Sequence, residues 1–339
     1  MTTHPVRRPP TRADVARYAG VSGAVVSYVI NNGPRPVAAE TAERVRAAID
    51  ILGYRPNLTA RALKRGSTQI LGMILSDISN PFFAEFAVEV ENTAAARGHA
   101  VLIGNSHGNA FTERRLIDDL MSRQVAGLVL GSVDARPEMI DRAVKVGIPT
   151  VLVDCPWPVN GHFSLGPDSR AGARLVVDHL IQVHRHRLIA MVVGAEGNGG
   201  DPRERSWQEA TRAAALLDGP LVRMPFTREG GYRGGQLLLD TLNPPSAIFA
   251  SSDLQAIGVL RAVRERGLRV PEDVAVVSFD GTQEAEFCWP PLTVARQPVH
   301  DMATRAVAAV LSAEAHQTAH QSYPMKLIIR QSCGCPSDA

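Results

Sequence analysis

The sequence is poor in cysteine, lacks any long apolar run and lacks the compact catalytic signatures, and each shortage narrows what the chain can be. Four cysteines in 339 residues are too few and too scattered for a disulfide scaffold. Cys155 and Cys288 are isolated, and Cys333-Gly334-Cys335 lies in the tail. A Cys-x-Cys pair can bind metal or form a strained disulfide, but no second cysteine or histidine pair stands at ligand spacing, so no metal is expected. His184 and His186 read in the same way as part of a solvated turn. No apolar run approaches the roughly 20 residues of a membrane span. Met1-Thr2-Thr3-His4-Pro5 lacks the apolar core of a secretory leader, so the expected compartment is the cytoplasm, with no membrane partner.

Enzyme signatures are missing as well. The glycine-rich stretch from Gly194 to Gly200 is not followed by Lys-Ser/Thr, and no Gly-x-Gly-x-x-Gly follows Ile74 or Ile103. There is no Gly-x-Ser-x-Gly elbow and no His-Glu-x-x-His helix. Asp118 and Asp119 lie on a helix and read as a solvated face. No nucleophile or base has a positioned partner, so a non-enzyme is expected.

What is present is a charge asymmetry. Residues 1–66 carry 11 Lys/Arg against 4 Asp/Glu, a net of +7, while the remainder carries 25 against 30, a net of −5. A basic small head on an acidic body is the electrostatic footprint of a phosphate-backbone binder. The head also has the pattern for it. Asp14 to Ala19 reads as a short helix burying Val15, Ala16 and Ala19, Gly20 ends it in the left-handed conformation, and Ser22 caps a second helix from Gly23 to Val29. That is a helix-turn-helix. Glu40 to Leu52 repeats Val45, Ala48, Ile49 and Leu52 at helical spacing to close its core, and Gly53-Tyr54-Arg55-Pro56 stops it before a last amphipathic segment, Asn57 to Arg65.

From Gln69 onward, apolar strands alternate with amphipathic helices, from Ile70–Leu75 and Phe82–Arg97 through to Val274–Phe279, Val299–Leu311 and Lys326–Ile329. This alternation predicts an α/β body of two doubly wound subdomains, each a parallel sheet covered on both faces. Ligands of such sheets bind beyond the carboxyl ends of the strands. The residues there are Ser76-Asp77, Asn105, Gly131-Ser132, Asp154, Gly194, Ser251-Ser252-Asp253 and Asp280. Acids and hydroxyls dominate, which suits a hydroxylated small molecule.

Thr11-Arg12-Ala13-Asp14-Val15-Ala16-Arg17-Tyr18-Ala19-Gly20-Val21-Ser22, then Val26 to Asn31, then Gly53-Tyr54-Arg55-Pro56-Asn57 with Ala60 and Leu63, resemble the DNA-binding head and hinge of the LacI/GalR family of bacterial transcription regulators. The resemblance implies a helix-turn-helix head at 11–56 behind a basic arm at 1–10, a hinge and linker at 57–68, and a periplasmic-binding-protein-like body. That body would divide into 69–164 plus about 292–322, and 165–291 plus about 323–332, followed by a tail at 333–339. The chain would cross between subdomains near Ser164, Pro291 and Ser322.

The resemblance also supplies roles. The second helix of the motif lies in the major groove with its first residues nearest the bases. Gly23 and Ala24 stand there, too small for side-chain hydrogen bonds and limited to apolar contact. Tyr28 replaces the family's usual arginine, so the half-site departs from the family norm at that base. Ser22, Ser27 and Asn31 read as phosphate contacts. Asn57 belongs to the hinge, and Leu63 matches the leucine that wedges between base pairs at the centre of the operator. Two such hinges meet at a dyad, which implies a homodimer on a pseudo-palindromic site. The tail has no heptads to build a tetramer.

For the effector, Arg203-Glu204-Arg205 resembles the family's Arg-Glu-Arg signature, which maps the gripping arginine to Arg205 although Gln208-Glu209 stand where a Gly-aromatic pair is usual and Trp207 comes early. Asp280 matches the aspartate that closes on the same ligand, and Ser252 stands where many members carry asparagine. Ser76 and Asp154 match further polar contacts, and Phe82, Phe83 and Phe226 match aromatic walls. The expected function is an effector-responsive repressor of a carbohydrate-utilisation operon, with no cofactor and with a sugar or sugar derivative as effector. The alternatives are a purine-type corepressor-dependent regulator, or a sugar receptor without a DNA role.

Overall fold

The computed structural model describes residues 8–31, 33, 35–55, 68–131, 137–194, 200–216 and 219–336. The chain forms two units, Met1–Thr68 and Gln69–Ala339. In the first, helices α1 (Arg12–Ala19), α2 (Gly23–Asn31) and α3 (Ala39–Leu52) pack round Val15, Ala16, Ala19, Val26, Val45 and Ala48. Thr11 and Asp14 close α1 with a capping box: the Thr11 N–H donates to Asp14 Oδ2 at 2.8 Å, and the Asp14 N–H donates to Thr11 Oγ1 at 3.4 Å. Gly20 ends α1 at φ 65°, the left-handed conformation that costs glycine nothing. The Ser22 hydroxyl then accepts from Val25 N at 3.4 Å and opens α2.

The second unit contains two six-stranded sheets. Its first subdomain comprises β1 (Ile70–Leu75), α4 (Pro81–Ala96), β2 (Ala100–Asn105), α5 (Ala110–Ser122), β3 (Gly127–Gly131), α6 (Pro137–Lys145), β4 (Thr150–Leu152) and β5 (Phe163–Pro167), joined later by α12 (Val299–Val310) and β11 (Ala319–Tyr323). Its strands are all parallel, in the order β11-β5-β4-β3-β1-β2. Alternation along the strands feeds two cores. Leu71, Met73 and Leu75 join Val129 and Val151 beneath α4 and α12, while Ile74, Leu128, Leu130 and Leu152 pack with Ile117 and Ile140 on the other face.

The second subdomain comprises α7 (Ser169–Gln182), β6 (Ile189–Val193), α8 (Pro202–Ala213), β7 (Leu221–Arg223), α9 (Arg228–Leu239), β8 (Ala247–Ala250), α10 (Asp253–Glu265), β9 (Ala275–Asp280), α11 (Gln283–Phe287) and β10 (Thr293–Arg296), with β12 (Lys326–Ile328) added late. The order is β12-β10-β9-β8-β6-β7, and only β12 is antiparallel to its neighbour among the described strands. The same alternation recurs: Ile189, Met191 and Val193 face α7 and α8, and Ala190 and Val192 face α9 and α10.

The first two crossings depart from the expected positions. The first falls between Pro167 and Ser169, because β5 pairs with β4 and β11 and so keeps residues 165–167 in the first sheet. The second falls between Arg296 and Val299, because β10 pairs with β9 and places residues 293–296 in the second sheet. The third lies between Tyr323 and Lys326, after β11, an edge strand with no continuous apolar run to announce it.

Candidate functional site

The carboxyl ends of both sheets gather polar groups. Ser76 follows β1 and Asp154 follows β4 shortly after; Ser251 and Ser252 follow β8, and Asp280 ends β9. Strand order reverses beside β1 in the first sheet and beside β6 in the second, the usual place for a ligand crevice in open α/β sheets.

Arg203 sits at the centre of these groups. Asp201 caps α8, its Oδ1 accepting from Arg203 N at 2.9 Å, and Pro202 takes the first helical position, where a missing N–H costs nothing. The Arg203 side chain turns back onto the same carboxylate, with Nε 2.9 Å from Oδ1 and Nη2 2.7 Å from Oδ2, while Nη1 donates to the Ser251 carbonyl at 2.8 Å. Its Cζ lies 4.9 Å from the Phe226 ring centroid and 5.2 Å from that of Phe279. Phe226 in turn closes over Gly194, where a Cβ would fall 2.4 Å from the ring. One turn along α8, Trp207 is buried and donates Nε1–H to the Ile189 carbonyl at 3.2 Å, which anchors the helix that presents Arg203.

The acids around this arginine are held in unusual states. Burial lifts the Asp154 carboxyl to about 7, against the pull of the Arg203 charge. Burial and the neighbouring Asp253 raise Asp280 well above the usual carboxylate range, opposed by Arg203 and by Gln297, whose Nε2 donates to Asp280 Oδ1 at 2.8 Å. Asp253 is pushed up to about 6 by burial, although it accepts from Thr282 N at 2.7 Å, from Thr282 Oγ1 at 2.8 Å and from the Ser278 hydroxyl. Burial raises Asp201 too, but the charge and hydrogen bonds of Arg203 overcome it and hold that acid below its ordinary value. Asp154 from the first subdomain and Asp280 from the second are each close enough to Arg203 to feel its charge. Asp154 at φ 60° and Asp280 at φ 100° occupy backbone conformations that side chains rarely adopt, each at a cost of about 1–3 kcal/mol. The subdomains are also tied by Gln283 N donating to Glu85 Oε1 at 2.8 Å.

In the head, α2 leaves Ser22, Ala24 and Asn31 exposed and Gly23, Ser27 and Tyr28 half-buried. Asn31 Nδ2 donates to the Ser27 carbonyl at 2.8 Å and lies 3.2 Å from the Ser27 hydroxyl, so these two polar groups form one patch on the helix.

Two family profiles match the chain: bacterial regulatory proteins, lacI family, over residues 11–57, and a periplasmic binding protein-like domain over residues 177–333. An uncharacterized HTH-type transcriptional regulator of Streptomyces limosus is 35% identical over 345 residues, covering 95% of this chain and 94% of its own. The ribose operon repressor of Escherichia coli (strain K12) is 33% identical over 304 residues, covering 88% and 91%. The chain belongs to the LacI family. Among solved structures, the Lac repressor dimer bound to operator and the anti-inducer ONPF superposes with a TM-score of 0.85 at 25% identity, covering 96% of this chain and 99% of that one. The transcriptional regulator CelR in complex with cellobiose gives a TM-score of 0.70 at 30% identity, covering 95% and 99%. This protein is thus an effector-responsive, DNA-binding transcriptional regulator of the LacI family. Among its described residues, no helix is long and apolar enough to cross a membrane.

Several of the residues expected in the effector site of this LacI-family chain are placed differently. Arg205 is exposed on the outside of α8. Two residues along a helix is a rotation of about 200°, so Arg203 and Arg205 cannot both face the cleft, and Arg203 is the one that does. Phe82 and Phe83 are core anchors for α4, 3% and 6% exposed, with ring centroids 5.1 Å apart and Phe82 stacked at 6.4 Å on Phe86. Ser252 is 2% exposed and its hydroxyl accepts from Gln255 N at 3.2 Å, so it caps α10. Phe226, Asp154 and Asp280 lie round Arg203, whereas Ser76 is placed only at the carboxyl end of β1, buried. Asp201, Arg203, Phe279 and Gln297 are members that sequence reasoning missed. Asn57 and Leu63 lie outside the described residues.

Proposed function

We propose that this regulator represses a carbohydrate-utilisation operon, acting in the cytoplasm as a homodimer on a pseudo-palindromic operator, and that its effector is a neutral sugar or sugar derivative held by Arg203, Asp154 and Asp280. The observation that carries the effector class is one guanidinium, already paired with Asp201, whose charge is felt by buried acids from both subdomains. Acid groups and sugar hydroxyls exchange hydrogen bonds, the remaining guanidinium edge donates to them, and a phosphate would find the guanidinium already paired with Asp201. A stacked purine-type corepressor is disfavoured, because Phe82 and Phe83 are buried and Arg203 already covers a face of Phe226. A sugar receptor without a DNA role leaves the lacI-family head unused.

In the head, Gly23, Ala24 and Tyr28 would meet the major groove, Ser22, Ser27 and Asn31 the phosphates, and Asn57 and Leu63 the operator centre. Ligand coupling is then a difference in effector affinity between open and closed subdomain arrangements, with Glu85–Gln283 among the bonds that distinguish them.

A thermal-shift screen against monosaccharides, disaccharides, sugar phosphates and nucleobases tests the reading. A ligand at about a hundred times its Kd adds about 2.7 kcal/mol of stability. A neutral sugar that stabilises the wild type, but neither Arg203→Ala nor Asp280→Asn, supports it. A sugar phosphate or nucleobase as the only stabilising ligand refutes the effector class, and a sugar that stabilises all three proteins alike refutes the site.

A further inference from the structure

Far from the effector cleft in sequence, the fold assembles four side chains from two distant stretches of the chain. His179 lies in the last turn of α7 and His184 just beyond it; Cys333 and Cys335 flank Gly334 in the tail. One ligand atom from each lies within 4.8 Å of every other. The Nε2 atoms of the histidines are 3.3 Å apart, Cys333 Sγ is 3.3 Å from His179 Nε2, and Cys335 Sγ is 3.3 Å from His184 Nε2 and 3.7 Å from His179 Nε2.

We propose that these residues form a Cys2His2 site for a zinc-like divalent cation, which clamps the C-terminal tail to the end of α7. The distances carry the assignment. Bond lengths of about 2.0–2.1 Å to nitrogen and about 2.3 Å to sulfur give a tetrahedron whose N–N edge is about 3.3 Å and whose N–S edges are about 3.6 Å. The observed separations lie within a few tenths of an ångström of these values. Hydrogen bonding accounts for them poorly, because His179 Nε2 has one proton or one lone pair and three neighbours at 3.3–3.7 Å. Two thiolates and two neutral imidazoles round a dication sum to zero charge, which suits a site where Cys333 is buried and Cys335 half-buried. Binding releases the two thiol protons. Four protein ligands leave no open position, so the site is structural in kind.

The surroundings hold the ligands in place. Gly334 adopts φ 105°, and a Cβ there would come within 3.3 Å of the His184 ring, so the residue between the cysteines must be glycine for the turn to reach the histidine. Thr293 Oγ1 lies 3.1 Å from Cys333 Sγ, and the adjacent Ser332 hydroxyl donates to the Val276 carbonyl at 2.6 Å, which ties the turn to β9 and β10. His186 is not a member: it falls outside the group of ligand atoms that lie within 4.8 Å of one another, and its Nδ1 faces the Ser246 hydroxyl at 3.0 Å.

The test uses the full-length protein, reduced, stripped with chelator and titrated with cobalt(II) and then zinc(II). One cobalt per chain is expected, with the visible spectrum of a tetrahedral ion, thiolate-to-cobalt charge transfer, and displacement by zinc. Cys335→Ser and His184→Asn should each lose that spectrum and the zinc-dependent rise in Tm, while His186→Asn keeps both. Cys335 is half-buried at the end of the chain, so its variant tests the site without opening a core. The proposal is overturned if the reduced wild type binds no cobalt, if the spectrum is unchanged in both ligand variants, or if mass spectrometry of protein isolated without oxidant shows a Cys333–Cys335 disulfide.

Discussion

Arg203→Met is the most informative single change, because its cost and its functional effect both follow from one geometry. The guanidinium is 19% exposed and the partner carboxylate of Asp201 9%, and the two share three charged hydrogen bonds of 2.7–3.2 Å. Methionine keeps much of the apolar volume against Phe226 and Phe279 but leaves Asp201 without its cation, beside Asp154 and Asp280. Removing one partner of a buried pair costs about 3–5 kcal/mol, most of it the burden of the stranded charge. At the lower figure, a domain of this size loses roughly 6–12 °C of Tm. The double variant Asp201→Asn/Arg203→Met removes the stranded charge and should recover a large part of that loss. Both variants should lose the stabilisation given by the effector, whereas Arg205→Ala, on the outer face of α8, should keep it. Differential scanning calorimetry with and without the effector reads all of these. The reasoning is refuted if Arg203→Met melts within a degree of wild type and still responds to ligand, or if Arg205→Ala alone abolishes the response.

Other outcomes follow from neighbouring contacts. Because burial lifts Asp154 to about 7, the folded state holds a proton that the unfolded state releases from about pH 4 upward; stability therefore falls as pH rises from about 4 to about 7 and levels off above it. Asp154→Asn removes that slope, at most about 1.4 kcal/mol per pH unit, and should leave the variant more stable than wild type at pH 8 and equal near pH 4 in urea melts; asparagine also tolerates φ 60°. Glu204→Ala removes both 2.8 Å bonds to Arg223, whose freed side chain can turn to solvent, so a loss of about 1–3 kcal/mol with unchanged effector affinity by calorimetry is expected. Thr11→Ala takes away the capping box of α1 and should cost the head about 1 kcal/mol, read as faster hydrogen exchange at its first-turn amides.

Much of the architecture was legible because its signals are local. The apolar run Ile70–Leu75 is β1 residue for residue, and Ala247–Ala250 is β8. The helix-turn-helix announced itself through Gly20 and Ser22. The short strands β5 and β10 were missed because Phe163–Pro167 carries a glycine and a proline and Thr293–Arg296 has only Val294 and Ala295 apolar between polar ends, and both crossings were therefore misplaced. The choice of Arg205 was a register error of two that the sequence already exposed. Counting the Gly-aromatic pair from Arg203 places Trp207 in the aromatic position with Ser206 in place of glycine, and Trp207 is the buried residue that anchors the helix. The histidine and cysteine cluster was out of reach for a different reason. His179 and Cys335 are separated by most of a subdomain in the chain, and only the pairing of β9 with β10 and the turn after β12 brings them together.

The cleft also explains how a small ligand could act on a large body. Asp280 is bonded by Gln297, and Gln297 lies in the crossing that runs from Arg296 to Val299; its N–H donates to the Asp280 carbonyl at 2.9 Å as well. The acid that faces Arg203 is therefore held by both the backbone and the side chain of a segment linking the subdomains. Gln297 Oε1 is buried without a hydrogen-bond partner among the described residues, which leaves this amide only half committed to its present orientation. A ligand hydroxyl that takes over Asp280 Oδ1 competes directly with the Gln297 amide, so its binding energy is spent against the crossing and not within one lobe. If Asp280 contacts the effector as proposed, its occupancy and the arrangement of the crossing share one side chain, and Gln297→Ala should uncouple them: effector still binds by calorimetry, while operator affinity in a gel shift no longer depends on it. If Gln297→Ala keeps full effector control of operator binding, coupling runs through the other two crossings or through Glu85–Gln283.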